Sequence, residues 1–179
     1  NKILNLISLT KYNQTNMLLV SPQIAGTKLR SPKEIVGWMG AIQAQDFNMA
    51  KWAIGLRLKK TTEKNIDAAI NSGEIIRTHL LRPTWHFVSA DDIYWMLELT
   101  APRIKAFMKS SNKQLELTEK IFAKSNSTIE KALSGGNPLT RKELVAEINK
   151  AKIATDNNRA SHILMNAELE GIICSGKTK

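Results

Sequence analysis

Cysteine is almost absent from this chain: Cys174 is the only one in 179 residues. An intrachain disulfide and a thiolate metal cluster are thereby excluded. Histidine is scarce too, present as His79, His86 and His162. Neither their spacing nor their acidic neighbours give a zinc signature, so no metal is expected. No apolar run approaches the roughly 18 residues of a membrane span, and no signal peptide with a cleavage site is present. The expectation is a soluble, cytoplasmic and nucleoid-associated protein with no membrane partner, monomeric. The first residue is not Met, so at least the initiator is missing. Acidic residues are few, 16 against 26 Lys and Arg, for a formal net charge of +10. The excess is uneven: residues 1–60 hold nine basic residues against two acidic ones, a net +7. That imbalance favours a polyanion partner such as double-stranded DNA. The tryptophans at 38, 52, 85 and 95 form no stacking ladder, and core packing is expected for most of them.

What is present is best marked between Ser31 and Phe47, SPKEIVGWMGAIQAQDF. Ser31 suits a helix N-cap, Pro32 the first helical position, and Glu34 completes a capping box. Ile35, Val36, Trp38, Met39 and Ile42 follow at core-facing spacing, with Gly37 and Gly40 as costly helix residues. They mark either close approach of a backbone or ligand, or simple packing. Gln43 and Gln45 come next, flanking Ala44, with Asp46 beyond. Each glutamine offers an acceptor and a donor and no titratable group. On a helix, residues two apart point in nearly opposite directions. The helix is therefore expected to end near Ala44 if both amides are to meet one substrate. From the residues alone they are surface amides at a helix end, or groups that position water, bind a sugar or phosphate oxygen, or read a base edge. Asp46 either orients Gln43 or caps the next helix.

The chain before this block, residues 1–20, reads as an N-terminal arm. Ile3, Leu4, Leu6, Ile7 and Leu9 share one helical face, and residues 17–20 begin a strand or pack against the fold. After Phe47 a helix is expected with Met49, Trp52, Ala53 and Leu56 inward and Lys51 and Arg57 exposed. Thr62 caps a third helix carrying Ile66, Ala69 and Ile70 and closing at Gly73. Ile75 and Ile76 open a strand whose hairpin partner is Trp85 to Val88. Three helices followed by a hairpin is the order of a winged helix. Ser89, with Asp92, caps a further helix that slows at Pro102, and the polar stretch from Lys109 to Gln114 reads as a domain boundary. Beyond it the pattern repeats. A helix from Thr118 to Leu133 closes at Gly135-Gly136, a Thr140/Glu143 capping box opens another, and a third spans Asp156 to Glu170. Its polar side carries Arg159, His162 and Asn166. Ile172 to Cys174 then reads as a strand with a packed thiol, and Gly176-Lys177 as a wing turn.

The fold class expected is mostly α with short β-hairpins, as tandem winged-helix (helix-turn-helix) domains. The divisions are residues 1–20 as arm, 21–110 as the first winged-helix-like domain, and 111–179 as the second, incomplete at its wing. Gly171 to Thr178, GIICSGKT, satisfies a phosphate-loop pattern, but such a loop needs a strand before it and a helix after it. Here a helix precedes and one residue follows, so nucleotide hydrolysis is rejected.

Two blocks carry a resemblance: GAIQAQDF, Gly40 to Phe47, and RTHLLRPTWHFVSADDIYWMLELTAPR, Arg77 to Arg103. In that order they resemble the winged-helix DNA glycosylases of the AlkZ/YcaQ type, which have a Gln-x-Gln or Gln-x-Asp motif at the catalytic centre. Family members often have Gly-Thr where this chain has Pro83-Thr84, and a glutamine before the first helix that Gln23 would match. They are longer, with three tandem winged-helix domains, so this chain resembles their N-terminal part. The resemblance implies hydrolysis of the N-glycosidic bond of N7-alkylated or interstrand-crosslinked purines, with Gln43, Gln45 and His86 as catalytic residues and no cofactor. Lys28, Arg30, Lys33, Lys51, Arg77, Arg82, Arg159 and Lys177 are the candidate DNA-binding residues. The alternative is a non-catalytic winged-helix DNA-binding or regulatory protein.

Overall fold

The structure is a computed structural model that describes residues 17–136 and 138–177. Most of the expected arm, and Thr178, lie outside the described residues. Residues 17–20 form a helical turn with exposed side chains, not a strand.

The first helix, α1 (Pro32–Met39), begins as expected: Ser31 Oγ accepts from Glu34 N–H at 3.2 Å, and Pro32 sits at the start. The Glu34 carboxylate reaches past the cap to Arg30 N–H at 2.8 Å, so the reciprocal bond to Ser31 N–H that would complete the expected capping box is not made. The helix stops short of the expected Ala44, because Gly40 adopts φ +74°, a conformation that favours residues without a Cβ. Ala41–Gln43 then form strand β1. Asp46 caps α2 (Phe47–Gly55), accepting from Met49 N–H at 3.0 Å. This helix is rotated from the expected setting. Ala50, Lys51 and Ile54 face inward, whereas Met49, Trp52 and Leu56 are exposed. The Lys51 stem packs against the fold because its charge has partners: Nζ lies 2.5 Å from Glu63 and 3.0 Å from Asp67. A capping box of Thr62 and Asn65 opens α3 (Glu63–Asn71).

β2 (Ile75–Leu80) and β3 (Thr84–Ser89) form the expected hairpin. The antiparallel sheet has the order β1-β3-β2. Strand alternation gives it two packed faces. Ile42, Ile75 and Phe87 meet α1 to α3 in one core, and Val88 with Leu80 meets Ile93, Met96 and Leu97 in another.

The next helix, α4 (Ile93–Gln114), runs through both Pro102 and the expected boundary at Lys109–Gln114. An interior proline costs about 3 kcal/mol in a helix. Tertiary packing overrides it here, since Ala101, Ile104 and Met108 form a buried row against Leu169. Helices α5 (Glu119–Leu133), α6 (Arg141–Lys150) and α7 (Arg159–Leu169) enclose a further core around Phe122, Ile129, Ile148 and Ile163. The expected strand at Ile172–Cys174 is not formed. That segment instead lies along β2, where Ser175 N–H donates to the Arg77 carbonyl at 2.9 Å, and Cys174 is exposed. Core packing of the tryptophans is also overturned: Trp38, Trp52 and Trp95 are all about half exposed, and Trp85 is half-buried. Their place is taken by aliphatic residues, with Phe87 and Phe122 as the buried phenylalanines. The described fold is thus mostly α with one small antiparallel sheet, winged-helix-like.

Candidate active site at the first sheet

The early end of α1 changes the geometry of the glutamine pair. Residues two apart on an extended chain share a side, unlike residues two apart on a helix. Gln43 closes β1 directly opposite His86 of β3. Cross-strand partners of this kind stand with Cβ atoms about 5 Å apart. Pairing continues one residue further, because Ala44 N–H donates to the Trp85 carbonyl at 2.7 Å. Gln45 then substitutes its side chain for backbone: its Oε1 accepts from Trp85 N–H at 2.7 Å. The side-chain carbonyl of Gln45 is therefore occupied, and its amide hydrogens are the groups still available for donation. The side chain of Gln43 makes no hydrogen bond to the described residues, and both glutamines are exposed.

Ala44 between them is 0% exposed. Its carbonyl accepts two bonds from Arg77, 3.0 Å from Nε and 2.8 Å from Nη2. The Arg77 guanidinium also lies 4.2 Å from the Trp85 ring centre and 5.7 Å from that of Phe47. Burial lowers its pKa from the usual arginine range, an effect partly offset by the Glu168 charge.

His86 is 5% exposed. Its Nδ1 lies 2.9 Å from the Thr84 carbonyl, which assigns the proton to Nδ1 and leaves Nε2 as an acceptor in the neutral ring. Burial pushes its pKa down, and the Arg82 and His79 charges add to that, against the Thr84 carbonyl. The ring is thus neutral near pH 7. His79 lies against Trp85, with ring centres 4.1 Å apart and planes tilted by 42°. His79 is in turn held by Glu168 of α7, whose Oε2 lies 2.7 Å from His79 Nδ1, 2.8 Å from His79 N and 3.3 Å from Thr78 Oγ1. Sequence reasoning gave neither His79 nor Glu168 a role. They lie 89 residues apart, and no local pattern joins them.

The basic candidates divide. Lys28, Arg30, Arg82 and Lys177 are exposed. Lys33 is tied to Asp91 at 2.7 Å. Lys51 corrects the expectation of an exposed cation: it is 7% exposed, and although burial alone would lower its pKa, Glu63 and Asp67 raise it overall. Arg77 is spent on the Ala44 carbonyl. Arg159 is turned back into the chain, donating from Nε to the Ala154 carbonyl at 2.9 Å and from Nη1 to that of Leu115. His162 and Asn166, on the same helix, are likewise engaged with Asn112 and Asn126. No group of three or more His, Cys, Asp or Glu suited to a metal occurs among the described residues, and no described helix is long and apolar enough to cross a membrane.

The fold and site define a winged-helix-like helical protein whose distinguishing feature is an amide pair anchored on a small sheet. The sequence matches the family described as "DNA glycosylase AlkZ-like" over residues 36–179, and the chain belongs to that family. Among solved structures, Streptomyces sahachiroi DNA glycosylase AlkZ is similar with a TM-score of 0.74 at 19% identity, over 89% of this chain. The chain spans 44% of that protein's chain. A comparison with curated proteins finds no match.

Proposed function

We propose that this chain carries the catalytic part of a DNA repair glycosylase that hydrolyses the N-glycosidic bond of N7-alkylated or interstrand-crosslinked purines in duplex DNA. The observation that carries this reading is the glutamine pair held on either side of the clamped Ala44, beside a neutral His86. An N7-alkylated purine is cationic and leaves as a neutral base, so strong general-acid help is not needed. The enzyme's task is to hold water at C1′ and stabilise the developing sugar cation with oriented dipoles. Gln43 is suited to accept a hydrogen bond from that water through its carbonyl oxygen and so to orient it. Gln45, whose own carbonyl is taken by Trp85 N–H, is suited to donate to the water or to a sugar or phosphate oxygen. His86 Nε2 is a further acceptor beside Gln43, and the reaction needs no cofactor. On this reading α5 to α7 form a second, incomplete helix-turn-helix unit, and Lys28, Arg30, Arg82 and Lys177 face phosphate in a cytoplasmic, monomeric protein.

The second reading, a DNA-binding protein without catalysis, is favoured by the exposed cations alone. The discriminating experiment is single-turnover incubation of the full-length protein with duplexes carrying N7-alkylguanine or a crosslinked purine, next to a binding titration over a salt series. Base release supports the glycosylase. Salt-dependent binding, with a log-log slope of roughly −0.9 per phosphate contact, and no release from any substrate would favour the second reading.

A further inference from the structure

We infer that Arg77 is the positioning residue of the glutamine pair, fixing the directions of Gln43 and Gln45 by holding the carbonyl of Ala44 between them. The inference rests on the glycosylase reading for its consequence, though not for its geometry.

An arginine on a basic surface is ordinarily read as a phosphate ligand. Arg77 is placed for a different task. The Nε–Nη2 edge, the edge that would grip a carboxylate or phosphate bidentately, is closed on one backbone oxygen at 3.0 and 2.8 Å. The guanidinium carbon lies over the Trp85 ring, 4.2 Å from its centre, with the Phe47 ring centre at 5.7 Å. No carboxylate lies within ion-pair distance of it among the described residues. A half-buried cation so enclosed is kept because its neighbours need its hydrogen bonds and its shape.

What it holds is the point where β1 turns into α2. Ala44 is fixed from both ends, N–H on the Trp85 carbonyl and C=O on Arg77. The same Trp85 supplies the N–H that binds Gln45 Oε1, so the arginine's stacking partner is also the backbone donor to the second glutamine. One side chain thus ties together the Ala44 peptide, the Trp85 ring and, through Trp85, the side chain of Gln45. Removing it frees the Ala44 carbonyl to rotate and lets both amides drift from any shared target. Lysine cannot replace it, having neither the fork for two bonds nor the plane for stacking.

The test uses Arg77→Ala and Arg77→Lys in the full-length protein, with single-turnover base release, duplex affinity over a salt series, and addition of millimolar guanidinium. The expected result is a fall in rate of about a hundredfold in Arg77→Ala, a smaller fall in Arg77→Lys, duplex affinity within a few-fold, and partial recovery of Arg77→Ala by guanidinium. A rate that stays at the wild-type level overturns the inference. So does affinity that falls in step with the rate while the salt slope drops by about 0.9, the mark of a lost phosphate contact. If the wild-type protein releases no base, the glycosylase reading fails, and hydrogen exchange of the Trp85 amide decides the positioning role. That amide should exchange about five- to tenfold faster in Arg77→Ala, as expected for a loosened hydrogen bond, and slow again with guanidinium. Unchanged exchange overturns the inference. If Arg77→Ala does not fold, the Arg77→Lys arms decide by the same criteria.

Discussion

Replacing Glu168 by alanine should weaken the whole fold, although the residue lies on α7, far in sequence from the sheet it supports. Its Oε2 accepts from His79 N–H at 2.8 Å and Thr78 Oγ1 at 3.3 Å, and it pairs with His79 Nδ1 at 2.7 Å. The side chains of Glu168 and His79 are 6% and 10% exposed, so water does not replace a lost partner. A buried donor left without its acceptor costs about 1–3 kcal/mol, and Glu168→Ala removes the acceptor of both His79 N–H and Thr78 Oγ1, so a loss of about 2–4 kcal/mol is expected in total. Glu168→Gln, which keeps one acceptor oxygen, should lose less. The assay is equilibrium urea unfolding of the chain, with the stability read at constant m. A loss below about 1 kcal/mol, the worth of a surface pair, would refute the claim that α7 is pinned to β2 through this carboxylate.

Lys51→Met should destabilise the fold by about 2 kcal/mol, less than a fully buried pair because Glu63 stays solvated. Its duplex salt slope should stay at the wild-type value, and a slope reduced by about 0.9 would instead make Lys51 a phosphate contact. Acid should weaken the protein through His86 and His162, whose folded pKa values burial holds below the ordinary 6.5. Between that value and the lower folded ones the unfolded chain binds more protons, so stability rises with pH and levels off above about 6.5. Urea midpoints measured across that range should show the rise, and His86→Asn with His162→Asn should flatten it.

Much of the scaffold could be read from local chemistry. The caps at Ser31, Thr62 and Thr140 act within a few residues of themselves, and all three accept the expected backbone N–H, whereas the expected cap at Ser89 is not made: α4 starts after Asp92 with no side-chain cap. The hairpin around Pro83 was legible for the same reason. What local pattern could not give was the setting of α2, where Lys51 turns inward only because Glu63 and Asp67 of another helix meet it. Nor could it carry α4 past Pro102, which depends on packing against Leu169. The site divides in the same way. GAIQAQDF marked the two glutamines, yet the helix spacing of its apolar residues concealed the strand that starts after Gly40. Arg77 and His86 were visible as types, while the partner that defines the role of Arg77, the Ala44 carbonyl 33 residues away, emerges only from the fold.

On the proposed function, Gln43 and Gln45 act on the transition state and contribute little to holding the duplex. The test is single-turnover release of an N7-alkylated or crosslinked purine by Gln43→Ala and Gln45→Ala full-length protein, beside an equilibrium titration of the same duplex. Each variant should lose about a hundredfold in rate, the worth of one oriented group of roughly 3 kcal/mol, with affinity within a few-fold of wild type. Wild-type rates in both variants would contradict it, as would losses that appear in the affinity instead of the rate.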